Sequence, residues 1–182
     1  LIFFPSDFEF VSDFDIRISN FRATMTILRR TLLLWLFMLW QGGFLFYGAV
    51  VVTVGADVLG TDFDQGLITR IVTQYLNLIG LIVLLAWIWD LAADRQTRWK
   101  RRAAAWLFLV LTLAALAWLH PRMDAHIDVA GQQLLERSAF RHLHRWYLRI
   151  STVQWLAAVV FSFWTLQNWR AADRCEKEQN ED

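Results

Sequence analysis

Cysteine is nearly absent from this chain. Cys175 stands alone, which excludes an intramolecular disulfide framework and any cysteine-based zinc site, and it lies in a polar stretch where a bystander thiol is the simplest reading. Charge is scarce as well, at 19% of 182 residues, and the 18 basic and 17 acidic side chains balance, so no bulk field argues for nucleic acid. With 2 prolines and 8 glycines there is no Pro-, Gly- or Ser-rich linker, and no repeat of solenoid length interrupts what reads as one domain. Missing too are HExxH, a P-loop, GxSxG and paired carboxylates within an apolar run, so a non-enzymatic protein is expected.

What the chain has instead is apolar surface: 57% hydrophobic residues and 11 tryptophans, a composition suited to a membrane. Residues Thr31 to Val54 form the first apolar run; as a helix it would be about 36 Å long, enough to cross a hydrocarbon core of about 30 Å. Ile71 to Trp89, Ala103 to Leu119 and Ile150 to Trp169 have the same character. Tryptophans near the run ends, among them Trp35, Trp89, Trp118 and Trp169, suit the headgroup depth. The fold class expected is therefore an all-α membrane protein, a four-transmembrane-helix bundle over 31–169, with an amphipathic helical loop between the third and fourth helices. Residues 1–30 mix phenylalanine with acids and lack a sustained period, which predicts a poorly ordered leader, with Met25 an alternative natural start. Arg29-Arg30 ahead of the first run resembles the start of a signal peptide, with Val54-Gly55-Ala56 as a cleavage site, but the run is too long for that and is expected to be retained. Residues 170–182 form a polar tail.

Charge in the connections orients the helices. Asp57, Asp62 and Asp64 face only Arg70 between the first two runs, whereas Arg95, Arg98, Lys100, Arg101 and Arg102 crowd the next connection. Basic residues favour the cytoplasmic side, which predicts an inner-membrane, multi-pass protein with both termini cytoplasmic. The balance is 12 basic residues inside and 6 outside, and the dissenters cluster between Trp118 and Arg149.

Few polar groups lie within the runs. Gln41, Asn77 and Gln154, with Gln74, Ser151, Thr152 and Ser162, should face the interior and bond across helices, because an amide facing lipid has no partner. No Asp, Glu, Lys or Arg falls well inside any run, which argues against proton- or ion-coupled transport.

The segment from Trp118 to His144 is the long polar stretch between two apolar runs and holds all 4 histidines: His120, His126, His142 and His144. Met123, Ile127, Ala130 and Leu134 recur at helical spacing, which predicts a surface helix. His120 and Asp124 are four apart, as are Asp124 and Asp128, so on a continuous helix they could form a His-Asp-Asp metal face, though Pro121 favours a break after His120. His144 shares an apolar stripe with Phe140, Leu148 and Trp155, so it is expected inward, buried and bonded to Gln41 or Asn77; Gln41, Asn77, His144 and Gln154 would then make a structural polar core. Alternatively His120 and His144 could hold a haem or copper ion between helix ends. Arg137, Arg141 and Arg145 form a separate i,i+4 stripe suited to anionic phospholipid headgroups.

Trp118-Leu119-x-Pro121-Arg122 closes the third run and Phe140-x-x-Leu143-His144 precedes the fourth; Trp40 with Gly43 and Phe44, and Tyr75-x-Asn77, stand in the first and second. In these motifs and their order, over 31–168, the chain resembles the transmembrane protein 205-like family. His142 and Arg145-Trp146 depart from the small residues often found there. The resemblance implies a four-helix integral membrane fold and brings no catalytic residue or cofactor. The expectation is thus a role in interaction, membrane organisation or solute handling. Its partners would be the bilayer itself and another copy or membrane protein, with no cofactor unless the histidines bind haem or copper.

Overall fold

The computed structural model describes residues 8–59, 62–93, 99–128 and 133–181. Helix α1 (Phe8–Phe46) passes through a π-helical segment (Tyr47–Val51) into α2 (Val52–Leu59); α3 (Asp62–Ala93), α4 (Trp99–Asp124) and α5 (Arg137–Glu181) follow. Strands β1 (Ile127–Asp128) and β2 (Gln133–Leu134) separate the last two helices. Among the described residues, four helices are long and apolar enough to cross a membrane: the stretch Ala23–Leu59, then Phe63–Ala93, Trp99–Asp124 and Arg137–Gln179.

Three features differ from the expectations. Helix α1 begins at Phe8, inside the segment read as a poorly ordered leader. No proline or glycine interrupts 8–41, and extending a helix that already exists needs no apolar stripe of its own, because elongation is far cheaper than nucleation. The polar tail likewise continues α5 to Glu181. The surface helix between the third and fourth long helices is instead an antiparallel hairpin, with Ile127 opposite Leu134 and Asp128 opposite Gln133. Lastly, α4 runs through Pro121 to Asp124 without a break. The proline sits in the last turn, and the Ala125 amide donates to the Pro121 carbonyl at 3.1 Å, so the helical ladder resumes on its far side.

Aromatic side chains dominate the interior. Leu33, Phe37 and Trp40 of α1 meet Val83, Leu84 and Trp87 of α3, Leu109 and Leu113 of α4, and Ala158, Phe161 and Trp169 of α5. Phe37 stands edge-on to Trp40 and Trp87, Trp87 is edge-on to Phe161 at 5.0 Å, and Trp169 stacks on Trp87 at 5.9 Å. These offset and perpendicular arrangements suit the ring quadrupoles. Glycine admits the largest of these groups: a Cβ on Gly80 would lie 2.6 Å from the Trp40 indole, and one on Gly43 would lie 2.9 Å from Leu76. Such small residues let helices approach closely where no hydrophobic effect drives them together.

The outer surface reverses the pattern of a water-soluble protein. Leu39, Phe46, Leu78, Leu85, Leu111, Leu156 and Phe163 are all more than half exposed or nearly so, and every long helix contributes. An apolar surface this continuous is an association hazard in water, whereas hydrocarbon imposes no such penalty.

Candidate functional site

The helices meet differently at their two ends. At the end where α4 turns into the hairpin, they enclose a cavity of about 340 Å³. Four elements supply its walls: Phe44, Tyr47, Gly48 and Val52 from the first membrane-length stretch, Gln65, Thr69, Arg70 and Thr73 from α3, His120, Met123 and Asp124 from α4, and Phe140, His144, Tyr147, Leu148 and Ser151 from α5. Ile127 of β1 adds to the rim. No atom lies within 4 Å of where a Cβ would stand on Gly48 or Gly66, so the space is open at both positions. The π-helical segment contributes Tyr47 and Gly48 to the wall, and widened turns of this kind are frequent where a helix borders a site.

A chain of hydroxyl groups borders the cavity. Tyr47 Oη donates to Thr69 Oγ1 at 2.7 Å, Thr69 Oγ1 donates to the Gln65 carbonyl at 2.7 Å, and Thr73 Oγ1 donates to the Thr69 carbonyl at 2.7 Å. Thr69 and Thr73 are one turn apart on α3, which places both on the inner face. Beside them is a charged group. Arg70 Nε lies 2.9 Å from Asp124 Oδ1, and His120 Nδ1 lies 3.3 Å from Asp124 Oδ2. The other ring nitrogen, His120 Nε2, is 3.1 Å from the Arg70 carbonyl. Because α4 continues through Pro121, His120 and Asp124 face each other one turn apart, as their spacing allowed.

The expected partner of His144 is replaced. Asn77 Nδ2 donates to Tyr147 Oη at 3.1 Å, and no described side chain hydrogen-bonds His144. Its imidazole instead stacks on Phe140, with centroids 6.0 Å apart and planes inclined by 10°. Gln41 and His144 are half-buried, Gln154 is buried, and the Gln154 amide nitrogen has no hydrogen-bond partner among the described residues. His120 and His144 both line the cavity, while His142 accepts a hydrogen bond from Trp146 Nε1 at 3.0 Å on the outer face. Among the described residues no three His, Cys, Asp or Glu side chains gather as a metal site would require.

Arg137, Arg141 and Arg145 are exposed along one face of α5. The Arg141 and Arg145 guanidinium groups each donate to the carbonyl one turn earlier at 3.3 Å. Arg149 lies over Trp146 at 5.2 Å, and Arg122 covers Trp118 at 3.3 Å from the ring centroid.

The opposite end holds a cluster the sequence reading passed over. Asp90 of α3 is fully buried, with Oδ2 bonded to the Arg102 guanidinium of α4 and accepting from Trp169 Nε1 of α5 at 3.1 Å. Arg29 of α1 completes it, with Nε 3.3 Å from Asp90 Oδ1 in an ion pair off the line of a hydrogen bond. Arg30 pairs with Asp173 at 2.7 Å and covers Trp169. All four long helices thus meet on one carboxylate. The signal was available: Asp90 is enclosed between Trp89 and Leu91-Ala92-Ala93, an acid inside an apolar stretch.

No protein-family model, curated protein or solved structure matches this chain.

Proposed function

We propose that this chain is a non-enzymatic four-helix protein of the inner membrane, with both termini cytoplasmic, that holds a small and mainly apolar molecule in the cavity at its hairpin end. The cavity carries the reading: its volume lies in the range of about 300–1,000 Å³ typical of small-molecule sites, and a few polar groups converge on an otherwise apolar wall. The residues behind the resemblance to transmembrane protein 205-like proteins support it, since Phe140 and His144 line the cavity, Asn77 holds Tyr147 in its wall, and Pro121 follows His120. The arginine stripe of α5 would rest against anionic headgroups on the same side, each residue contributing about 1 kcal/mol. Native mass spectrometry of the protein released from nanodiscs tests the reading. Wild type should carry one co-purifying small molecule, which Thr69→Leu with Ser151→Leu should displace. A wild-type protein that emerges empty, and whose melting no added amphiphile raises, would refute it. Orientation has its own test, because Cys175 is exposed and alone: an impermeant maleimide should label inverted vesicles and spare intact cells.

One observation favours haem or copper as a second reading, namely that His120 and His144 line the same cavity. Both ring nitrogens of His120 already face protein oxygens, so ligation there would have to break a contact to Asp124 or to Arg70. A Soret band, or stoichiometric copper, lost in His144→Ala and kept in His142→Ala would favour this reading.

A further inference from the structure

We propose that the cavity fills sideways, through the seam between α1 and α5, with a single-chain amphiphile that is already dissolved in the bilayer and ends in an uncharged hydroxyl. This rests on the ligand-binding reading above and adds the class of ligand and its route. A groove of about 270 Å³ runs along the seam, and Phe44, Gly48 and Ser151 line both it and the cavity, so the two spaces adjoin. Its other walls are Leu45 and Ala49 on the first stretch and Thr152 and Trp155 on α5. These positions belong to the first and fourth apolar runs, so the groove opens toward hydrocarbon, where a water-borne solute is scarce and an alkyl chain is at home.

Side chains bridge the seam farther along. Toward the other end Phe37 meets Phe161 at 6.4 Å, and beyond them Arg30 bonds Asp173 and covers Trp169. Near the cavity the walls are small: Gly48 and Ala49 face Ser151, and nothing stands within 4 Å of a Cβ placed on Gly48.

The polar groups specify the head. The hydroxyl protons of Tyr47, Thr69 and Ser151 are each given to a protein oxygen: Tyr47 to Thr69, Thr69 to the Gln65 carbonyl, Ser151 to the Tyr147 carbonyl at 2.8 Å. The oxygens of Tyr47 and Ser151 therefore have acceptor capacity to offer and no proton, which suits a ligand that donates. Arg70 is paired with Asp124, so its charge is already matched when a ligand arrives. A hydroxyl at the end of a hydrocarbon chain meets both conditions.

The test uses the full chain in nanodiscs with three photoreactive diazirine reagents: a long-chain alcohol, the matching carboxylate at neutral pH, and a small water-soluble compound. The alcohol should label Tyr47, Ser151 and their neighbours, and the carboxylate much less. Gly48→Leu should cut labelling by the alcohol several-fold while its helical content and melting match wild type, since the added side chain enters open space. Ala49→Phe, which narrows the groove without lining the cavity, should act the same way. Labelling by the alcohol that both variants leave intact overturns the lateral route, as does cavity labelling by the water-soluble reagent alone. Equal labelling by the carboxylate overturns the head assignment. Cross-links along the groove to a second copy of the chain would make it an interface and overturn the proposal, and a cavity that no reagent labels sinks the ligand-binding reading together with it.

Discussion

The two ends of this molecule solve the problem of polar groups among apolar helices in opposite ways. At the Asp90 end the three other long helices each send a side chain to one buried carboxylate of α3, and tryptophan rings fill the space around it. At the hairpin end Arg70 and Asp124 pair at a rim where their side chains stay 37% and 23% exposed, and the interior behind them is hollow. A buried ion pair that is fully enclosed fixes relative helix positions because breaking it is costly; one at an open rim can exchange with water and constrains little. The contrast teaches that one end closes around its polar groups and the other leaves them bordering an open space.

The sharpest way to break the comparison is at Asp90. Asp90→Ala removes the buried carboxylate that Arg102, Trp169 and Arg29 share, and should destabilise the fold by about 3–5 kcal/mol, read as a large fall in detergent melting temperature. Replacing Arg102 as well, with Asp90→Leu and Arg102→Met, should recover part of that loss, since Arg29 and Trp169 Nε1 still lose their acceptor. A double variant as unstable as the single one would show that the ion pair is not what fastens this end.

Gly80 probes the middle of the molecule. Gly80→Ala places a methyl group 2.6 Å from the Trp40 indole, so the ring or the helix must shift, and a loss of about 1–3 kcal/mol is expected. Gly42→Ala is the control: nothing lies within 4 Å of its Cβ, and the exchange should be neutral or slightly stabilising. Equal melting of the two variants would mean that Trp40 has room to move.

The smallest effect is expected at the hairpin end. Asp124→Ala removes the partner of a half-exposed arginine, and with water able to solvate what is left the change should be within about 1 kcal/mol. Its melting should fall far less than that of Asp90→Ala, and a comparable fall would erase the distinction between the two ends.

The apolar runs were legible in the sequence because hydrocarbon demands little more than length and absence of charge, and each of the four runs lies within a long helix. The hidden features are those that depend on a partner distant in sequence. Arg102 reads as a charge of the connection and Asp90 goes unremarked because span limits drawn by hydropathy stop at Trp89 and start at Ala103; both helices in fact run past them. Spacing at Met123, Ile127, Ala130 and Leu134 fitted a helix, yet Ile127, Asp128 and Val129 are poor helix formers and Gly131 follows, so the hairpin had a local signal that the period obscured. His144 stacks on Phe140, one turn earlier on α5, but which amide would reach it could not be read from spacing: Asn77 is taken by Tyr147. The cavity left the faintest trace, glycines at 48 and 66 and threonines one turn apart at 69 and 73, since an empty volume has no residue of its own.

The π-helical segment at Tyr47–Val51 carries a consequence for how this protein can change over generations. A π turn stores one residue more than an α turn, and each residue of an α-helix advances by about 100°. Losing a single residue between Tyr47 and Val51 would let the stretch close into uninterrupted α-helix while Val52–Leu59 keeps nearly its rotation, because the widened turn already carries the extra residue; what changes is the wall at Tyr47 and Gly48. Length variation at this one place, more than any exchange of side chains, is the cheapest route by which a descendant of this chain could reshape its cavity.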